Sequence, residues 1–163
     1  MDKVAGRIQE LFSYLTSVKD INRGGCLFAA FAVFKVLQKE GLSNDDLVIV
    51  QLDAGMLNIS TNQMFINGQT DEVRSSNHFV LSPDGGKTLY HTGGLFETES
   101  STKYNLVIPN DKVETFCETA LHKANWNKKF KRTRGVKEIN FMLGTEIPNF
   151  RKNYGRKLAR NKN

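Results

Sequence analysis

At 163 residues, with 39% hydrophobic and 25% charged side chains, the chain has the composition of a soluble globular protein and the length of one domain, able to bury roughly two-thirds of its unfolded surface. Its longest apolar run, residues 26–34, stops at Lys35, well short of the ~20 residues that cross a bilayer, which excludes a spanning helix. The net charge of +6 is unevenly divided: residues 128–163 hold 12 Lys and Arg against two acids, Glu138 and Glu146, whereas the first 127 residues hold 11 against 15.

The opening residues, MDKVAGRIQELF, are amphipathic and carry acids early, unlike a secretory signal. A product that is cytoplasmic, or packaged in a virion, is therefore expected. Val4, Ile8, Leu11, Phe12 and Leu15 recur at three- and four-residue spacing and predict a helix over 3–18. Asp20-Ile21-Asn22-Arg23-Gly24-Gly25 breaks that pattern with turn-forming residues. From Cys26 to Gln38 the sequence is CLFAAFAVFKVLQ, apolar on every side over its first nine positions. A helix without a solvent face belongs at the centre of a fold, and Gly41 ends it as a C-terminal cap would.

Leu47 to Leu52 is short and rich in β-branched residues, a buried strand. The polar stretch from Asp53 to Arg74 reads as loop with one or two weak strands. His78-Phe79-Val80-Leu81 and Lys87-Thr88-Leu89-Tyr90-His91 flank Ser82-Pro83-Asp84-Gly85-Gly86, whose Pro, Asp and Gly predict the turn of a β-hairpin. Tyr104 to Ile108 is a further strand, closed by Pro109. Asp111 starts a helix to about Ala124, with Val113, Phe116, Cys117, Ala120 and Leu121 on its inner face. A short apolar piece follows around Ile139 to Leu143, and a basic, apolar-poor ending closes the chain.

Cys26 is the residue with the strongest chemical signal. A thiol becomes a good nucleophile as the thiolate, and its free pKa near 8.5 falls at a helix N-terminus or beside an imidazolium. Gly24 and Gly25 let the backbone turn into the helix and bring N–H groups to where an oxyanion would form. His78 starts a strand, a rigid base for a proton acceptor. An activated, low-pKa Cys26 served by His78 is the expectation. Cys117, inside an amphipathic helix with no glycine or histidine near it, reads as a packing residue, and His122 as a surface residue at a helix end. Both cysteines are expected as free thiols, the lack of a Cys/His cluster at ligand spacing argues against zinc, and no cofactor is expected.

This constellation resembles the papain-like cysteine hydrolases. GGCLFAAFAVF is similar to their nucleophile helix, NHFVLSPDGG to their histidine strand and KTLYHTGG to the strand bearing a third, orienting residue. The order, and the 52-residue separation of Cys26 from His78, also resemble the NlpC-type peptidoglycan endopeptidases, in which the third residue is often a second histidine, here His91. The likeness covers about residues 20–95. It implies an α+β fold of papain-like type, with a central helix in the N-terminal half packed on an antiparallel sheet. It also implies thiol-dependent hydrolysis of an amide, with a peptide or cell-wall peptide as substrate. Papain-like proteases carry an oxyanion-binding Gln six residues before the nucleophile. Asp20 stands there in this chain, so Gly25 and Asn22 are the expected oxyanion supports.

The charge division predicts a hydrolase domain over 1–127 and a partly mobile basic segment over 128–163. Lys128, Lys129, Lys131, Arg132 and Arg134, with Phe130, Phe150 and Tyr154 among or beyond them, fit contact with a polyanion backbone, although such a run also serves as a solvated extension. A non-catalytic papain-like scaffold, whose basic segment binds nucleic acid or assembles a viral particle, is the alternative reading.

Overall fold

The computed structural model describes residues 3–21, 24–52, 78–92, 94–97, 106–122, 128–131 and 133–148. The first helix, α1 (Lys3–Tyr14), buries Ile8, Leu11 and Phe12. It stops earlier than the apolar spacing predicts because the chain tightens into three-residue turns: Leu15 N–H donates to Phe12 O, Val18 to Leu15 and Ile21 to Val18, at 3.0–3.2 Å. Turns of that pitch return every third side chain to one side, so Leu15, Val18 and Ile21 all stay in the core.

Helix α2 (Cys26–Lys39) is the centre of the fold, and every residue from Cys26 to Phe34 is buried. It ends where Gly41 takes a left-handed φ of 73°. There the Gly41 N–H returns to Gln38 O and the Leu42 N–H to Leu37 O, which satisfies carbonyls the helix itself leaves open. Arg7 pins α1 to this end, its Nε and Nη2 donating to the two carboxylate oxygens of Glu40 at 2.9 and 2.6 Å.

Five strands are described: β1 (Val48–Leu52), β2 (His78–Ser82), β3 (Thr88–His91), β4 (Gly94–Glu97) and β5 (Leu106–Ile108). They form one antiparallel sheet in the order β4-β3-β2-β1-β5. Pairing of β1 with β2 runs from Val48 opposite Ser82 to Leu52 opposite His78. Alternation then divides the side chains. Ile49, Phe79, Leu81, Tyr90 and Ile108 join the core built on α2, while Val48, Val50, Val80 and Leu89 form a second cluster.

The β2–β3 hairpin forms as its Pro-Asp-Gly-Gly sequence predicts. Asp84 Oδ1 accepts from Thr88 N–H and from Ser82 Oγ, both at 2.8 Å, and Asp84 Oδ2 from Thr88 Oγ1 at 2.6 Å. Gly85 and Gly86 supply the positive φ angles. Strand β4 was not among the predicted elements. Its Gly-Leu-Phe-Glu is too short to show alternation, and its register with β3 (Thr88 opposite Glu97, His91 opposite Gly94) is what makes it a strand.

A 3-10 turn over Asn110–Lys112 leads into α3 (Val113–His122), which buries Val113, Cys117, Ala120 and Leu121. Then come a one-turn helix α4 (Lys128–Lys131) and α5 (Gly135–Leu143). These last two correct the expected boundary at residue 128. Phe130 is fully buried, and Val136, Ile139 and Ile147 belong to the same core as α2. The body therefore extends through at least Ile147, because apolar side chains spaced among the cations supply a buried face that a charge count does not register. The fold is α+β, with a central helix on an antiparallel sheet. Among the described residues no helix is long and apolar enough to cross a membrane. The polar stretch 53–74 and the chain beyond 148 lie outside the described residues.

Candidate functional site

Antiparallel pairing brings the end of β1, the start of β2 and the end of β3 to one edge of the fold, and the start of α2 meets them there. The link is through the thiol: the backbone N–H groups of Phe79, Leu27 and Cys26 itself lie near enough to Cys26 Sγ to favour its thiolate. In a peptide unit the Phe79 nitrogen sits about 2.4 Å from the Cα of His78. The thiol thus meets the backbone next to the predicted base.

His78 and His91 are brought together, their rings edge-on with centroids 5.0 Å apart. Alternation explains the encounter, since His78 shares its side of the sheet with Val80, and His91 with Leu89. The thiol approaches from the α2 side. Among the described residues no hydrogen bond joins Cys26 to His78; the thiol's contact is with the backbone beside it.

The electrostatics correct one expectation. Burial pushes the Cys26 thiol above its ordinary value, outweighing the three N–H groups that favour the thiolate. With 8% of its surface exposed, the sulfur loses more from leaving water than the helix start returns. His78 is held down to about 4, first by burial and then by the nearby His91, and His91 is lowered by burial. At neutral pH the resting group is a neutral thiol beside two neutral imidazoles, not a preformed thiolate–imidazolium pair.

Gly25 sits at the N-cap of α2, but conformational freedom is not its reason. Its φ is −95°, whereas Gly24 carries the left-handed φ of 105°. What demands glycine at 25 is proximity: a Cβ there would lie 2.7 Å from the Phe130 ring and 2.8 Å from Ile21 O. Phe130 also packs on Phe28 at 5.3 Å between centroids, and a Cβ on Gly135 would strike it at 2.3 Å. Phe130 therefore braces the start of α2. Reading it as a stacking residue missed this; a large aromatic among lysines, five residues before a glycine, was the available signal. Asn22 lies outside the described residues, and Asp20 adopts a φ of 59° in the turn before α2.

The polyanion candidates are divided by the structure. Lys131 is 3% exposed, and burial lowers its ammonium to about 8, so it does not meet a polyanion as a solvated cation. Arg134 is exposed before α5, Lys128 and Lys129 lie on α4, and Arg132, Phe150 and Tyr154 fall outside the described residues. Cys117 is fully buried and its thiol is raised by burial and by Glu118 and Glu114, as suits a packing residue. His122 is exposed at the end of α3. Asp84 belongs to the hairpin at the far end of β2 from His78.

Beside His91 a cleft of about 250 Å³ opens between α1 and the end of β3, lined by Gln9, Phe12, Ser13, Thr16 and Tyr90 among others. Its neutral hydrogen-bonding groups and aromatic walls suit an uncharged polar ligand. Among the described residues no group of three or more His, Cys, Asp and Glu side chains could hold a metal ion. Compared with known proteins, the chain matches no family model, no curated protein and no solved structure.

Proposed function

We propose that the protein is a thiol-dependent amide hydrolase of papain-like type, acting on a peptide or a cell-wall peptide. What supports this reading is that Cys26 Sγ lies by the backbone N–H of Phe79, the residue after His78, at the edge where the rings of His78 and His91 meet. A neutral imidazole is a competent general base, and a neutral thiol can give up its proton as it attacks. Cys26 Sγ bonds to the substrate carbonyl carbon while His78 takes the thiol proton. In this reading the backbone N–H groups at the start of α2, after Gly25, take the developing negative charge. His78 then returns the proton to the leaving amine, and water releases the acyl group from sulfur. His91 orients His78.

Because the resting thiol and ring are not hydrogen-bonded and His78 shares its side of the sheet with Val80, away from α2, the reaction needs the start of β2 itself to turn and bring the ring to the thiol. Incubation with purified peptidoglycan and with casein tests the reading. New amino termini should appear with one of them and vanish in Cys26→Ala and His78→Ala. Hydrolysis that survives Cys26→Ala, or that neither substrate supports, would overturn it.

The raised Cys26 thiol and its lack of a bond to His78 favour a second reading, a papain-like scaffold without catalysis whose basic segment contacts nucleic acid or assembles a particle. Removal of the residues beyond Pro148 separates the two: salt-sensitive nucleic-acid binding lost on truncation, with no thiol-dependent hydrolysis in the full chain, supports the scaffold.

A further inference from the structure

The cleft of about 250 Å³ at the end of β3 takes its polar wall from α1 and the turns after it. Gln9, Ser13 and Thr16 are four and three residues apart, the spacing that keeps side chains on one side of a helix and then of three-residue turns. All three are exposed. Ser13 Oγ donates its hydrogen to Glu10 O at 2.5 Å, and Thr16 Oγ1 donates to Ser13 O at 3.1 Å. A hydroxyl has one hydrogen and two lone pairs, so both groups meet the cleft as acceptors. Gln9 adds an acceptor oxygen and an amide donor. Phe12 and Tyr90, both part of the core, give the cleft an apolar floor, and His91 and Thr92 line it from the β3 side.

Among the described residues no Asp, Glu, Lys or Arg lines this cleft. Burial lowers His91, which is uncharged at neutral pH. The same helix shows the contrast: a second cleft of about 360 Å³ is lined by Lys3, Arg7, Glu10 and Glu40 with Leu42. There the charges answer one another, since Arg7 pairs with both Glu10 and Glu40. The cleft at Thr16 offers no counter-charge, so an ion leaving water for it would go uncompensated. Its occupant is therefore neutral and brings hydrogens to donate. Acceptors a helical turn apart, about 5 Å, call for donors set several ångströms apart. Hydroxyls around a ring are so placed, whereas an amide carries its hydrogens on one nitrogen. The C–H face of such a ring suits an apolar floor. The volume falls below the roughly 300–1,000 Å³ of sites for drug-sized ligands, which leaves room for one ring.

We propose that this cleft binds a neutral polyhydroxyl ring, the chemistry of a hexose, through Gln9, Ser13 and Thr16. Cys26 does not line it, and the site holds whether or not the thiol attacks an amide.

Titration of the isotope-labelled full-length protein with methyl glucopyranoside, methyl galactopyranoside and methyl mannopyranoside, followed through backbone amide signals by NMR, tests this. At least one glycoside should give saturable shifts at Gln9, Ser13, Thr16 and His91, with a Kd of about 1 mM for a ligand of that size. Glucosamine as the cation, glucuronate as the anion and N-methylacetamide as a neutral amide should each bind at least about tenfold more weakly. Ser13→Ala and Thr16→Val each remove an acceptor at an exposed position and should weaken binding by about two- to tenfold. Thr16→Ser keeps the hydroxyl and should keep the affinity. Matching urea unfolding curves separate loss of an acceptor from loss of the fold. No saturable shift with any of the three glycosides overturns the proposal. So does equal binding of the charged or amide probes, or full affinity in both Ser13→Ala and Thr16→Val.

Discussion

The imidazoles of His78 and His91 meet edge-on with centroids 5.0 Å apart, and the pair is uncharged at neutral pH. His78 titrates near 4 because burial and the neighbouring His91 both oppose a proton on it. A ring held neutral is ready to accept a proton, which is the state a general base needs.

That same neutrality fixes the pH dependence of folding. The unfolded chain protonates His78 near 6.5 and the folded protein near 4. As pH falls from 6.5 towards 4 the unfolded state binds the extra proton, so stability is lost across that window and levels off below it, by up to ~3 kcal/mol. Urea unfolding of the wild type at a series of pH values should show the slope, and His78→Gln should flatten it. A wild-type curve that is flat from 6.5 to 4 would contradict the burial of the ring.

Asp84 titrates in the opposite sense to a buried histidine. Burial alone would raise its carboxyl, but hydrogen bonds led by those from Thr88 hold it below the usual range. Stability from this residue is present above the unfolded carboxyl pKa and is lost as pH falls through the lower folded value. Asp84→Asn should destabilise the protein at pH 7 and converge with the wild type at low pH. A constant difference at every pH would show that packing, not charge, holds the hairpin.

Gly25 and Phe130 are coupled by contact. Gly25→Ala forces a methyl group to within 2.7 Å of the ring and should cost about 1–3 kcal/mol in urea unfolding. Combining it with Phe130→Leu should recover part of that loss, as expected for neighbours sharing one space. Simple additivity of the two variants would deny the contact.

Burial orders the two thiols. Cys26, 8% exposed, should be alkylated before Cys117, which is 0% exposed, and more slowly than glutathione at pH 7 because its thiol is raised. Its rate should climb with pH beyond the ordinary thiol range. Labelling of Cys26 that is fast and flat with pH at neutrality would mean a thiolate already exists and would contradict the burial found here.

Much of this architecture is legible in the residues. An all-apolar run such as 26–34 has to be a central helix, and His78 to His91 has to be a hairpin, because Pro83, Asp84, Gly85 and Gly86 dictate its turn. The meeting of His78 with His91 follows from that hairpin and period-two alternation. Three things were not legible. The thiol's protonation depends on how completely the fold excludes water from Cys26, which no local pattern records. The brace by Phe130 depends on a contact with Gly25 across more than a hundred residues. Gln51 looks like an ordinary strand-end polar residue until its pairing with Phe79 shows it enclosed.

The most direct test of the central relationship is the rate at which p-nitrophenyl acetate acylates Cys26, followed by the first-turnover release of p-nitrophenol at pH 7. With His78 as the base, His78→Ala should slow acylation by roughly 10²-fold, and Cys26→Ala should abolish it. Equal rates in the wild type and His78→Ala would mean that the imidazole does not serve the thiol.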